Sequence, residues 1–180
     1  MIEDLDDTCV ELEALSPELV GSLLELMELA YGLRFSPHDW DNASGGRHFI
    51  VFRGGAPVAH ASVVPRPLST PELELATGFV EAVATRPDLQ GRGLGTEVMH
   101  AAQRHIHSTY ELGGLSTGSG PFYERLGWEQ WQGPTYARTP QGWLRTEEDD
   151  YGLYILRTPS TPDLDLTRPI SCDWRVGDVW

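Results

Sequence analysis

The strongest constraint on how this chain folds is a glycine-rich turn near its middle. Gln90-Gly-Arg-Gly-Leu-Gly95 separates an apolar run over residues 76–85 from a stretch in which Leu94, Val98, Met99, Ala101, Ala102 and Ile106 line one helical face. A strand that turns through glycines into a helix aims free backbone N–H groups, and the positive end of the helix dipole, at the turn itself. That suits an anion such as a pyrophosphate; the alternative is an ordinary glycine turn. The glycine spacing is not the dinucleotide fingerprint, and a Walker A loop requires a lysine, which the sequence does not contain.

On the N-terminal side, Leu19, Val20, Leu23, Leu24, Met27, Ala30 and Tyr31 recur at helical spacing after Ser16-Pro17, with Ser as cap and Pro in the first turn. A second short helix begins at Ser36-Pro37 and runs into Trp40. Residues 48–53 and 57–64 are apolar, β-branched runs joined by Gly54-Gly55, the pattern of a hairpin, and Pro65 and Pro67 end the second run. The strand over 76–85 follows a turn at Pro71. Beyond the central helix, the pattern predicts a strand at 112–115, a helix at 121–126 and strands at 128–135 and 151–156. The polar residues 139–150 read as a long loop. This order predicts a mixed α/β (α+β) fold, and 180 residues suit one domain spanning 1–180. The tail carries Pro159, Pro162 and Pro169 but ends Cys172-Asp-Trp-Arg-Val-Gly-Asp-Val-Trp180, and those aromatic residues predict that it packs back onto the domain.

Composition narrows the partners. With 13 basic and 27 acidic residues the net charge is -14, which repels phosphate backbones and favours a cationic partner over nucleic acid. Every basic residue is arginine, which excludes Schiff-base chemistry. The first residues resemble no secretory signal, and no apolar run reaches the length of a membrane span, so a soluble cytoplasmic protein is expected. Cys9 and Cys172 lack ligand-like spacing and read as free thiols.

Glu81 interrupts the apolar strand, on one face with Phe79 and Val83 by period-two alternation. A carboxylate there is costly unless it meets a cation or a water chain. Either it is an edge-strand Glu paired with an Arg, or it serves an amine that must lose its proton before attacking an acyl group. Gly114-Leu-Ser-Thr-Gly118 matches the nucleophile elbow of serine hydrolases, but that order needs a histidine after the serine and all six histidines precede Ser116. His100, His105 and His107 lack the i, i+4 spacing of a zinc helix, so no metal is expected.

Gln90-x-x-Gly-x-Gly after an apolar strand resembles the coenzyme A pyrophosphate loop of the GNAT superfamily. Gly78-Phe-Val-Glu-Ala-Val, Gly127-Trp with Trp131-Gln-Gly-Pro-Thr135, and the Cys172 to Trp180 ending resemble the aminoglycoside 2'-N-acetyltransferases more closely. The resemblance runs from about Ala30 onward and is weakest in the first helix and after Ala137. It implies a mostly antiparallel central sheet flanked by helices and splayed at the coenzyme A cleft, between the strands at 76–85 and 112–115. Acetyl-CoA would be the co-substrate, an aminoglycoside the polycationic acceptor, and a homodimer the assembly. Val83, Ala84 and Thr85 would receive the pantetheine arm, and Gln90, Gly91, Arg92, Gly93, Leu94 and Gly95 the pyrophosphate.

The same resemblance implies that Glu81 assists deprotonation, through water, and that Tyr123 protonates the departing thiolate. Without it, Tyr123 reads as a core tyrosine on a short helix. Val83 N–H becomes a donor to the developing oxyanion. Asp39, Asp150, Asp178 and Trp180, with its carboxylate, correspond to substrate-site positions, and Ala82, Ser116 and Asp149 join them as substrate contacts. Trp40 and Trp174 offer further aromatic faces to ammonium groups, while Glu147, Glu148, Asp163 and Asp165 read as solvated surface. Arg34 departs from the pattern, standing where an acidic substrate contact is expected. The competing readings are an acetyltransferase for another amine, and a non-catalytic module that binds coenzyme A or a cationic drug.

Overall fold

The computed structural model describes residues 8–180. In chain order the elements are β1 (Cys9–Leu12), α1 (Pro17–Tyr31), α2 (Pro37–Ser44), β2 (Arg47–Arg53), β3 (Ala56–Pro65), β4 (Leu68–Ser69), β5 (Glu74–Leu75) and β6 (Thr77–Thr85). There follow α3 (Leu94–Thr109), β7 (Leu112–Ser116), α4 (Gly120–Glu124), β8 (Glu129–Gln130), β9 (Thr135–Thr139), β10 (Gly142–Arg145), β11 (Leu153–Arg157) and β12 (Ile170–Asp173). This is a mixed α/β fold in which most strand pairs are antiparallel. The chain forms two compact units: residues up to Val64 with Val80–Arg104, and Pro65–Phe79 with His105–Trp180.

In the first unit the strands run in the order β1-β2-β3-β6. Gly54 and Gly55, at φ 55 and 76, supply the left-handed turn that closes the β2–β3 hairpin. Helix α1 starts where Ser16 Oγ accepts the Leu19 N–H at 3.2 Å, and Pro17 occupies its first turn. Its apolar stripe buries Leu23, Leu26 and Met27 against Ile50, Phe52 and Ala84. Each fully buried large side chain contributes about 1.5–3 kcal/mol. Strand β1, which the sequence pattern did not reveal, pairs with β2 from Cys9↔Val51 to Leu12↔His48. Glu97 of α3 accepts the Cys9 N–H at 3.0 Å.

In the second unit, β6 and β7 run parallel over three pairs ending at Phe79↔Gly114, and β11 joins β7 to β8. Gly113 and Gly114 have no room for a side chain: a Cβ would lie 2.9 Å from Leu156 Cβ and 2.8 Å from Phe79 Cδ2. A five-stranded sheet in the order β10-β9-β12-β4-β5 completes this unit. In the tail, β12 lies between β9 and β4, parallel to the former.

Two expectations need correction. The strand over 128–135 is two strands, β8 and β9, because Pro134 has no N–H to donate and the Gln132 and Gly133 N–H groups turn away to Leu166 O, both at 2.9 Å. The loop over 139–150 is largely a hairpin, β9–β10, turning at Pro140-Gln141, followed by a short 3-10 turn over Glu147–Asp149. Its ladder is backbone-driven: Trp143 and Leu144 are both exposed, so no alternation marks the strand in sequence. The Pro71 turn likewise joins two two-residue strands, β4 and β5. Cys9 and Cys172 are free thiols, as expected. Among the described residues no helix is long and apolar enough to cross a membrane.

Two glycines test this packing. The Arg168 carbonyl accepts the buried Trp131 indole N–H at 2.9 Å, and a Cβ on Gly133 would lie 2.0 Å from that oxygen. Gly133→Ala is therefore expected to cost about 3 kcal/mol or more. Gly21, inside α1 with nothing within 4 Å of an added Cβ, behaves oppositely. Gly21→Ala is expected to add about 0.5–1 kcal/mol, and urea unfolding of both variants measures the contrast.

Candidate functional site

The first unit carries the glycine turn. Gly91 and Gly93 adopt φ 73 and 86, and an added Cβ on either would meet nothing within 4 Å, so the backbone is open to a ligand. Glu97 N–H donates to Gly93 O at 2.9 Å, closing the first turn of α3. The N–H groups ahead of it have no helix carbonyl to bind, which leaves donors of the kind a pyrophosphate takes. Arg92 is exposed in the same turn, and α3 opens with Leu94, which is buried, followed by Gly95. Gln90 Nε2 donates to Thr85 O at 3.4 Å, fastening the turn to the end of β6.

Strand β6 is irregular at its centre. Ala82 sits at φ 49, a left-handed conformation that costs a residue with a Cβ about 1–2 kcal/mol. Side chains hold two successive carbonyls there. His60 Nδ1 lies 2.7 Å from Ala82 O, and the Tyr31 hydroxyl donates to Val83 O. His48 Nδ1 lies 3.0 Å from His60 Nε2, and His48 Nε2 lies 3.3 Å from Ser44 O. Both imidazoles are buried, and Trp40 lies against them with ring centroids 6.1 and 6.2 Å away. Desolvation by burial lowers His60 to about 3, opposed by its bond to Ala82 O, and holds His48 below the ordinary imidazole range.

Glu81 is half-buried with its Oε1 enclosed. Glu81 and Asp39 both act electrostatically on Tyr31. Burial raises the Tyr31 phenol; Arg34 lowers it, and the Asp39 and Glu81 carboxylates raise it further. Asp39 also has a structural task, since its Oδ2 accepts the Ser36 N–H at 2.6 Å in a capping box that starts α2. Arg34 is exposed, donating to Tyr31 O at 3.3 Å. Val83 and Ala84 lie between these groups and Thr85 along the strand, with Ala84 buried in the α1 core.

The second unit gathers the acidic residues around the chain's last tryptophan. Trp180 is buried, its indole N–H donating to Thr146 Oγ1 at 2.9 Å; Thr146 Oγ1 in turn donates to Thr135 Oγ1 at 2.8 Å. Asp150 Oδ1 accepts from Thr135 N–H at 3.0 Å, from Thr135 Oγ1 at 3.0 Å and from Arg145 at 2.9 Å, while Oδ2 pairs with the other arm of the same guanidinium. Those Arg145 bonds, aided by Thr135 against burial, hold Asp150 down to about 2. Asp149 moves the other way: burial, then Glu148, Asp178 and Asp150, raise it. Asp178 lies in an exposed turn closed by Arg175 Nε donating to its carbonyl at 2.7 Å.

Ser116 ends β7 opposite Leu153, and its Oγ would stand 3.5 Å from a Cβ at Gly152. Tyr123 is buried on α4, edge-on to Phe122 and Trp128 at 4.9 and 6.4 Å. His105 packs edge-on to Tyr110. Trp174 is 48% exposed, leaving its face available. A cavity of about 710 Å³ on this unit, lined by Leu73, Tyr136, Arg138, Trp143 and Pro169 among others, contains none of the predicted site residues. Sequence reasoning therefore found the acids but missed Tyr31, His48, His60, Arg145, Thr135 and Thr146. Only a fold-specific pairing pattern marks them.

The chain belongs to the GNAT acetyltransferase family, whose acetyltransferase (GNAT) domain matches residues 12–131. Within it, the chain falls with the aminoglycoside 2'-N-acetyltransferases. The enzyme of that name from Mycolicibacterium fortuitum is 47% identical over 151 residues, 81% of this chain and 77% of that one. Solved structures share the fold at low identity. A GNAT family acetyltransferase from Brucella melitensis in complex with acetyl-CoA superposes with a TM-score of 0.59 at 15% identity, over 87% of this chain and 93% of that chain. A GCN5-related N-acetyltransferase from Kribbella flavida gives 0.58 at 18% identity, over 70% of this chain but only 34% of that one.

Asp150 gives a pH signature. Its folded pKa, about 2, lies below the ordinary 3.8, so its stabilisation is present above about pH 4 and is lost as pH falls towards 2. Thermal melts at about pH 5 and about pH 2.5 are expected to show native protein losing more stability than Asp150→Asn over that interval.

Proposed function

We propose that this chain transfers the acetyl group of acetyl-CoA to the 2'-amine of aminoglycosides by direct attack in a ternary complex, inactivating the antibiotic in the cytoplasm. The observation that carries the reading is the 47% identity to the Mycolicibacterium fortuitum enzyme across most of both chains. Locally, the open Gly91 and Gly93 backbone ahead of α3 supports a pyrophosphate site, and β6 offers Val83, Ala84 and Thr85 to the pantetheine arm. All 180 residues would serve as one acetyltransferase domain, with the tail contributing to acceptor recognition.

In this mechanism the acceptor ammonium gives a proton to water held by Glu81, and the freed nitrogen attacks the thioester carbonyl carbon. The carbonyl electrons move onto oxygen, where the Val83 N–H stabilises them. As they return, the C–S bond breaks and the sulfur takes a proton from the Tyr123 hydroxyl; the acetylated nitrogen loses its second proton to water, which returns one to the Tyr123 phenolate. Asp39, Ala82, Ser116, Asp149, Asp150, Asp178 and Trp180 contact the acceptor. Such charge-assisted hydrogen bonds are worth about 1.5–3 kcal/mol each.

A thiol-release assay with acetyl-CoA tests this over aminoglycosides with and without a free 2'-amine. Turnover is expected only with the free 2'-amine, and Glu81→Gln and Tyr123→Phe are each expected to lower kcat by about 10²-fold or more. Turnover confined to linear polyamines or other amino sugars would move the acceptor class. Silence across the whole panel would sink the transfer reading.

A further inference from the structure

We propose that His60, oriented by His48, is a positioning residue for acetyl transfer: its Nδ1–H holds the Ala82 carbonyl and thereby aims the Val83 N–H. The proposal rests on the reading of Val83 as the oxyanion donor given above, and adds the device that fixes it.

The carbonyl of Ala82 and the N–H of Val83 belong to the same planar trans unit, so they point in opposite directions. Fixing the oxygen of the first fixes the hydrogen of the second. At φ 49 Ala82 has left regular strand geometry, and its oxygen is met at 2.7 Å by His60 Nδ1 from β3. The next carbonyl, Val83 O, is taken by the Tyr31 hydroxyl of α1. The backbone on both sides of the proposed donor is thus gripped by side chains, through two other elements of the same unit.

Counting protons assigns the tautomers. The array Ser44 O, His48, His60, Ala82 O contains three contacts, at 3.3, 3.0 and 2.7 Å. Two neutral imidazoles supply two N–H groups. If His60 carried its proton on Nε2, a bare Nδ1 lone pair would face a carbonyl oxygen at the shortest of these distances. The favourable arrangement puts His60 Nδ1–H on Ala82 O and His48 Nδ1–H on His60 Nε2. It leaves the longest contact, His48 Nε2 to Ser44 O, as the one without a proton. Both rings are buried, with 1% and 0% exposure for His48 and His60, and Trp40 covers them, so water does not compete for these groups. His48 therefore holds the His60 tautomer, and His60 holds the peptide.

Two substitutions of similar size and polarity separate this role from simple filling of space. Asn places an amide N–H near the position of histidine Nδ1, whereas Gln places one near Nε2. His60→Asn is expected to keep kcat within about threefold of native. His60→Gln is expected to lose at least about tenfold in kcat, towards the 10²–10³ typical of a lost oxyanion donor, with KM for both substrates changed by less than about twofold. Thermal midpoints of the two variants should agree, since each buries one amide. Equal impairment of the two, or no impairment in either, with active native protein overturns the proposal. Native protein inactive on every aminoglycoside would instead sink the transfer reading. Should a variant fail to fold, imidazole ¹H–¹⁵N correlation spectra of the native protein decide: a His60 proton on Nδ1 supports the assignment and one on Nε2 overturns it.

Discussion

A left-handed alanine in the middle of a strand has to be held from outside the ladder. At Ala82 the cost of φ 49 is borne because neighbouring side chains accept the geometry and use it: His60 on its carbonyl, Tyr31 on the next. Much of the first unit is organised around that requirement. The β2–β3 hairpin brings His48 and His60 onto adjacent strands, α2 lays Trp40 over them, and α1 ends at Tyr31. The apolar stripe of α1 that buries Leu23, Leu26 and Met27 is thus also the part that aims a phenol at β6.

The second unit solves a different problem, that of concentrating carboxylates without unfolding. Asp150 is neutralised locally by both arms of Arg145 and by Thr135, and works as a joint between β9, β10 and the turn before β11. The Thr135–Thr146 hydroxyl pair extends that joint to the indole of Trp180. That tryptophan is buried with its N–H satisfied, so it turns no open aromatic face to solvent. Trp174, half exposed, keeps such a face.

What could be read from the sequence follows from where periodicity is forced. Helices α1 and α3 bury one apolar stripe, and the β2–β3 hairpin and much of β6 are buried on both faces, so burial writes a helical period or a continuous apolar run into the residues. The β9–β10 hairpin buries little on its second strand: Trp143 and Leu144 both face solvent, and backbone hydrogen bonds alone define it. Strand β1 and the β4–β5 pair are too short for alternation to register. In the site, the glycine turn was legible because glycine at positive φ is a local requirement. The acids were legible as acids. Their partners were not, because Arg145 meeting Asp150, or His60 meeting Ala82, is decided by register between elements rather than by spacing along the chain.

This difference in partnership also sorts the acidic residues by what they can offer a cation. Asp150 already has a guanidinium, so an arriving ammonium would compete with Arg145 for oxygens whose bonds are satisfied. Asp149 is in the opposite state: burial and the neighbouring charges of Glu148, Asp178 and Asp150 raise its pKa, so it holds its negative charge at a cost. On the proposed reading a polycation relieves that repulsion on arrival, so the favourable change on binding is larger at Asp149 than at Asp150. Asp150 then shapes the acceptor site and Asp149 draws the ammonium groups in, a division of labour that a count of carboxylates cannot express. The same logic makes Arg34 the counterweight on the first unit. An exposed guanidinium beside Tyr31 subtracts from the field that Asp39 and Glu81 create there.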